Sequence, residues 1–326
     1  MSIRRLKLKI KELKAKFKKI FINKSKLKLQ SIKLLSEDIP LMTNEIYIHN
    51  DFYGHATNIK KFVGFDSDYK LKAAIEHAAF LDSFWWGDDI NAPLPAIFTM
   101  PRRRIPIIKK LTNKKVFAIG PFIHYANHIL DDQQITKEKK RLGNNLLIFP
   151  AHSTHHVDTN YDTENFCKKI KQMGKDFDSV RVCLYWKDIL RGFDKIFKDN
   201  NLECVSAGHI YDPYFLPRLK SILELSTVTA SNLFGTHIGY SVYMNKPHYI
   251  FKDEIEFLGN QADVGDGVNE TNLEFEKLFG NFNEKITPEQ YKFIDNYLGL
   301  ADVKTKDELK AILFEIEEDY IQQYIK

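Results

Sequence analysis

Two kinds of hydrophobic pattern alternate along this chain. Short unbroken apolar runs, each closed by Gly, Pro or a polar loop, predict buried strands. Longer stretches with apolar residues three or four apart predict the helices between them. Residues 202–251 show this best. Leu202–Ala207 reads as a strand ending in Gly208. Tyr214–Leu225 places Phe215, Leu216, Leu219, Ile222, Leu223 and Leu225 at helical spacing, with Pro213 and Pro217 about its first turn, where a missing N–H is tolerated. Thr227–Ser231 is a second strand, Asn232–Gly235 a turn, Thr236–Met244 a short helix ended by Asn245-Lys246-Pro247, and His248–Phe251 a third strand. Strand, helix, strand, turn, helix, strand with short connections is the grammar of a parallel sheet.

The same alternation predicts strands at Glu45–Asn50, Lys70–Ile75, Ala96–Met100, Val116–Gly120, Leu146–Pro150 and Val180–Trp186. Asp51–His55 is the expected exit loop of the first. Pro101 is expected to start a helix carrying Arg102, Arg103 and Arg104, a run that reads as a solvated face or as a binder of an acidic group. Residues 131–144 are polar and charged, which places a boundary between two α/β units there. The expected division is residues 1–40, 41–140 and 141–326. Residues 252–286 read as acidic and loop-rich. Thr287-Pro288-Glu289-Gln290 and Thr305-Lys306-Asp307-Glu308 both fit a capping box and mark two closing helices.

Charge changes the picture at one end. The net charge of +5 rests on 48 basic and 43 acidic side chains, yet residues 1–34 hold 13 Lys or Arg against Glu12 alone. The remainder is therefore mildly acidic, which argues against a nucleic-acid-binding body. Ile3, Leu6, Ile10, Leu13, Phe17, Ile20 and Phe21 form an apolar stripe among those cations. The stripe predicts a basic amphipathic helix within residues 1–22, suited either to an anionic membrane surface or to packing on a protein body. No apolar stretch nears the roughly 20 residues that cross a membrane, and no signal-peptide pattern is present. Cys167, Cys183 and Cys204 lack metal-ligand spacing, and so sparse a set suits a reducing cytoplasm.

Candidate chemistry gathers at the expected strand ends. Open parallel sheets bind ligands outside the carboxyl ends of their strands. Three second-unit loops meet that condition: His152-Ser153-Thr154-His155-His156, Gly208-His209 with Tyr211 nearby, and Ser231-Asn232 through Gly235-Thr236-His237. The last opens a helix, where free backbone N–H groups suit a phosphate. Gly208 and Gly235 also read as plain turn glycines. His152, His155 and His156 read as phosphate or sugar contacts or, with Asp158, as a metal set. Lys187 and Arg218 are further cations, with Arg218 expected at the surface because it lies near a helix start. No Gly-x-Gly-x-x-Gly or Walker-type loop occurs. Asp66-Ser67-Asp68 reads as a surface turn.

The words AIEHAAF (74–80), FAIGPFIHYA (117–126), LLIFPAHS (146–153), VCLYWKDIL (182–190), AGHIYDP (207–213) and GTHIGYSVYMNKPHYIF (235–251) carry a resemblance. Over roughly residues 45–325 the chain resembles GT-B-fold glycosyltransferases, and more narrowly the GT-B-like proteins of bacterial surface-polysaccharide clusters. The resemblance implies two Rossmann-like domains facing a cleft. It implies a nucleotide-sugar donor held by Ser206–Asp212, Ser231–His237 and Asn245–Pro247. It also implies a glycan or lipid-linked glycan acceptor, and inverting, metal-independent transfer without a cofactor; the basic helix would hold the chain against the inner face of the cytoplasmic membrane. Such transfer needs a base for the acceptor hydroxyl. Asp51, His55, Glu76 and His77 are the candidates, each of which also reads as a helix cap or a buried hydrogen-bonded group. Phe84-Trp85-Trp86 reads as an acceptor platform or as core. The alternatives on the same fold are a nucleotide-sugar epimerase, a polyol-phosphate transferase, or a non-enzymatic membrane-docked scaffold.

Overall fold

The computed structural model describes residues 28–40, 45–76, 87–154, 157–259 and 270–325. The expected helix within residues 1–22, the platform Phe84–Trp86, and His77, His155 and His156 lie outside them. The described chain is α/β with two parallel sheets.

The first sheet has three strands in the order β1 (Ala73–Ile75), β2 (Ala96–Thr99), β3 (Lys115–Ala118), all parallel. The second has five: β4 (Asn145–Phe149), β6 (Ser179–Cys183), β7 (Glu203–Val205), β8 (Val228–Ser231) and β9 (His248–Ile250). They lie in the order β7-β6-β4-β8-β9, again all parallel. Renumbered by appearance this is 3-2-1-4-5, the doubly wound order, whose direction reverses between β4 and β8. A two-stranded antiparallel ribbon joins β5 (Val157–Asn160) to β10 (Glu256–Gly259).

Side-chain alternation along the strands sorts the core. Leu146 and Ile148 of β4 join Val182, Val228 and Ala230 under the helices Thr163–Met173 and Phe193–Asp199. Leu147 and Phe149 face the other way, onto the helices Phe215–Glu224 and Thr236–Tyr243. That same cluster takes in Ala73, Ile75, Ala96 and Phe98 of the first sheet, so one apolar core runs through both units. The outer face of the first sheet holds Ala74, Ile97 and Val116 with Leu94 and Ile108. Each fully buried Leu, Ile or Phe contributes about 1.5–3 kcal/mol. The closing helix Lys306–Tyr320 packs back on helix His55–Val63 and pairs Glu315 and Asp319 with Lys115 of β3.

Three expectations change. Glu45–Asn50 is not a strand; Ile48–Gly54 is a 3-10 segment that runs into helix His55–Val63, so Asp51–His55 is no exit loop. The reason is Asn50. Its amide donates to the Ala73 carbonyl at 2.9 Å and accepts from Ile75 N–H at 2.9 Å, satisfying the free edge of β1 as a neighbouring strand would. The polar stretch 131–144, for which only a boundary was expected, carries a helix, Asp132–Leu142, opened by a capping box between Asp131 and Gln134. Residues 252–286 carry β10 and the helix Glu270–Phe279. Arg218 is wholly buried, paired with Asp212 at 3.0 Å and donating to the Ala207 carbonyl at 2.9 Å. The two capping boxes of the closing helices form, and Asp66-Ser67-Asp68 is exposed.

Candidate functional site

The switch between β4 and β8 gathers the expected donor loops. Asn232 ties the two strand ends together: its carbonyl accepts from Ala151 N–H at 2.6 Å, and its amide donates to Asp253 at 3.1 Å. Helix Thr236–Tyr243 begins beside it, with Gly235 at its N-cap position and, among the described residues, no side chain capping it. The first turn therefore presents backbone N–H groups at the reversal of the sheet. Thr236 and His237 are half-buried in that turn.

His237 stacks on Phe149 at the end of β4, with ring centroids 4.8 Å apart. Burial, reinforced by His248 and His152, holds its pKa well below the ordinary value, so the imidazole is neutral at pH 7. Its Nε2 is buried with no hydrogen-bond partner among the described residues. His248, by contrast, is satisfied on both nitrogens by Thr229 at 2.8 Å and Ser231 at 3.0 Å, and burial pushes its pKa down to about 3. Ser231 also donates to the Leu233 carbonyl, so it is engaged inside the loop.

The β4 loop divides likewise. Ser153 N–H donates to Asp188 at 3.1 Å, and its hydroxyl accepts from Thr159 N–H and from Arg191. Thr154 makes the turn into β5 through Val157, and its carbonyl accepts from Lys187. Those two residues hold the loop's shape. His152 lies on the ring of Tyr185 at 4.5 Å, over a cavity of about 10 Å³ bordered by Pro150, Leu184 and Asp188. Such a space admits about one water. Asp188 is buried, which raises its pKa, with His152 and Ser153 opposing.

The β7 loop lies at the seam between the units. Gly208 has φ +103, and a Cβ there would sit 2.8 Å from Nη1 of Arg218. His209 is buried against Trp186 at 4.1 Å, and its Nδ1 accepts from Tyr211 N–H at 3.2 Å. Tyr211 meets Phe52 at 5.5 Å, and Ile210 accepts from Tyr53 N–H at 2.6 Å. Tyr53 adopts a left-handed φ of 56 there, and at Gly54 a Cβ would strike the Pro213 carbonyl.

No family model matches the chain, and no curated protein does. Three solved structures show remote likeness. One is MnaA of S. aureus in complex with UDP, at 12% identity over 78% of this chain and 68% of that chain, with a TM-score of 0.37. Another is UGT2 of Phytolacca americana with UDP-2-fluoroglucose and pterostilbene, at 11% identity over 69% and 54%, with a TM-score of 0.32. The third is the Glycosylation Associate Protein (Gap123) complex of Streptococcus agalactiae, at 13% identity over 72% and 44%, with a TM-score of 0.29. The chain spans about half the length of the last two.

On the first unit the base candidates separate. Glu76, at the end of β1, is buried and held by Arg104 through Nη2 at 2.5 Å and Nε at 3.1 Å, and by the Thr99 hydroxyl at 2.5 Å. Burial raises its pKa, while Arg104 and Thr99 oppose. Arg104 is thus an interior partner; Arg102 pairs with Asp302, and Arg103 covers the ring of Tyr297 at 4.0 Å. Asp51 is half-buried on the 3-10 segment, and His55 is buried between Phe122 and Tyr53. Unforeseen in sequence are Asp253, His248 and Phe149 around the switch. Only its place inside the word VCLYWKDIL marked Asp188. Among the described residues, no three His, Cys, Asp or Glu come together in a metal-ligating group. No helix of the described residues is long and apolar enough to cross a membrane.

Proposed function

We propose that this chain is a glycosyltransferase that moves a sugar from a nucleotide-sugar donor to a surface-polysaccharide or lipid-linked glycan acceptor. The observation that carries the reading is the helix start at Thr236–His237, set at the β4/β8 reversal, which among the described residues has no side-chain cap and lies beside a buried imidazole nitrogen without a partner. Backbone N–H groups and a neutral imidazole donor fit the leaving phosphate, whose growing charge they stabilise. His152, Asn232 and Gly235 complete that edge, while Gly208, His209 and Tyr211 line the neighbouring loop toward the first unit. The donor class and the inverting, metal-independent course are what the resemblance of the quoted sequence words to GT-B enzymes implies. The basic stripe within residues 1–22 supplies the docking at an anionic membrane face.

The test is a melting-temperature panel with UDP, CMP, CDP and GDP. A nucleotide binding only the folded chain, at about 100 times Kd, stabilises it by about 2.7 kcal/mol. One nucleotide should raise Tm in the intact chain and not in Thr236→Pro. No shift with any nucleotide would leave the scaffold reading in its place. Removal of residues 1–22 should abolish co-sedimentation with anionic vesicles, and unchanged sedimentation would refute membrane docking.

A further inference from the structure

Residues 64–69 turn out of helix His55–Val63 and line an open cavity of about 350 Å³, through Gly64, Phe65, Asp66, Asp68 and Tyr69. That volume is within the range of ligand sites. Gly64 makes the turn possible, because it ends the helix at a left-handed φ of +79. The helix starts after Gly54, which lies against Pro213, and its 9 residues span about 13 Å. The cavity is therefore at the end of this helix away from the seam, outside the donor edge.

The walls combine rings with polar groups of both kinds. Tyr69 meets Phe65 edge-on with centroids 4.6 Å apart, and Phe65 meets Phe314 of the closing helix at 5.7 Å. Phe314 is 53% exposed. A contiguous strip of this kind marks an interaction site where scattered apolar residues do not. Tyr69 is held in place, since its hydroxyl donates to Glu317 at 2.7 Å and its carbonyl accepts from Lys60 at 3.0 Å. Asp66 and Asp68 are exposed beside the rings. Lys306 Nζ stands next to Gly64, where a Cβ would lie 3.5 Å from it, and Lys310 Nζ lies 5.8 Å from the rings of Phe65 and Phe314. A carboxylate only accepts hydrogen bonds, and an ammonium only donates them. Two of each balance, so this wall does not select a charged ligand. It suits one that donates and accepts within a small space and also carries apolar faces. Sugar rings do both: each hydroxyl donates and accepts, and the slightly positive C–H face packs on the negative face of an aromatic ring.

We propose that this groove is a glycan-binding subsite on the first unit, separate from the donor edge. Asp66 and Asp68 accept from sugar hydroxyls, and Phe65, Tyr69 and Phe314 carry the sugar faces. That the bound glycan is an outlying part of the acceptor rests on the transferase reading above; the binding itself does not.

The test is calorimetric titration of the full chain with cello-, malto- and chito-oligosaccharides, each as the disaccharide and as a longer oligomer. One series should bind, and its longer member about tenfold or more tightly than its disaccharide, because the strip offers more than one ring. Asp66→Ala/Asp68→Ala and Phe314→Ala change exposed groups, so Tm should hold. Affinity for the longer oligomer should fall about tenfold or more in each, the size of one lost charge-assisted hydrogen bond. Binding by no series would overturn the proposal, as would binding untouched in both variants. A synthetic peptide of residues 1–22 that moves the ring resonances of Phe65 and Phe314, where no oligosaccharide does, would make the groove a dock for the chain's own basic segment and overturn it too. The rise in Tm with a nucleotide should survive in both variants. If no nucleotide raises the wild-type Tm, the donor reading falls instead, and the oligosaccharide titrations still judge the groove.

Discussion

The ends of β1 and of β4/β8 are alike in sequence terms and opposite in chemistry. Both close parallel strands, and both carry ionisable residues. At β1 the fold answers every demand of Glu76: a two-nitrogen grip from Arg104 and a short bond from Thr99. At β4/β8 it leaves a helix start without a cap and a buried His237 nitrogen without a partner among the described residues. Buried polar atoms are normally satisfied. In the proposed reading a strand end becomes a binding site where the fold withholds a partner, and a structural joint where it supplies one.

The largest effect should come from breaking the satisfied end. Glu76→Ala leaves the Arg104 guanidinium buried and uncompensated, which costs about 3–5 kcal/mol. Urea unfolding should show it, and the double variant Glu76→Leu/Arg104→Met should recover most of the loss. If Glu76→Gln instead unfolded like wild type but lost turnover, the contrast would reverse, and Glu76 would return as the base.

How far this contrast was legible can be judged at particular residues. The five parallel strands of the second unit follow from their unbroken apolar runs, because a sheet covered on both faces demands them. The ribbon β5/β10 did not show, since Val-Asp-Thr-Asn and Glu-Phe-Leu-Gly lack a sustained alternation. Helix Asp132–Leu142 buries only Leu142, so no apolar stripe announced it, although Asp131 and Gln134 stood at capping spacing. Asn50 was misread for the opposite reason: the apolar run before it looks like a strand, and only the tertiary fold shows an amide side chain standing in for one. The loops proposed to hold a donor were placed at strand ends because that is a positional rule, and the structure sets them at the ends of β4, β7 and β8. Arg218 was misjudged because no sequence pattern marks Asp212 as the partner that buries its charge, just as none marks Arg104 as the partner of Glu76 across 28 positions.

Asp89 gives the next effect, of about 4 kcal/mol at most. Its pKa rises from 3.8 to about 7 on folding, and each unit of such a shift is worth about 1.4 kcal/mol. A raised carboxyl stabilises the fold fully below the unfolded pKa. That contribution is lost as pH climbs from about 4 through 7. Urea midpoints at pH 5 and pH 8 should therefore differ more in wild type than in Asp89→Asn. Equal differences would mean that Asp89 is not strained by its burial.

Asn232→Ala comes third. It removes the acceptor of Ala151 N–H and the donor to Asp253, at about 1–3 kcal/mol for a buried group left unsatisfied. It should also weaken nucleotide binding, because the two strand ends are no longer held together. Asn232→Asp keeps the acceptor but sets a second carboxylate against Asp253. It should lose more affinity at pH 8 than at pH 5, where carboxylates begin to protonate.

The smallest effect belongs to His237, and it sharpens the comparison most. His237→Gln should change the stability of the free protein by no more than about 1 kcal/mol, since no hydrogen bond among the described residues depends on Nε2. Nucleotide binding should change with pH in a defined sense. The free imidazole is held neutral by burial, His248 and His152. A bound phosphate adds the opposite charge and raises that pKa, so binding takes up part of a proton and tightens as pH falls. Linkage limits the gain to about tenfold per pH unit. The phosphate's own ionisation near pH 6 opposes the trend, but it does so equally in both proteins. Calorimetric affinities at pH 6 and pH 8 should therefore favour wild type over His237→Gln more strongly at pH 6. The same ratio at both values would show that the phosphate does not reach this nitrogen.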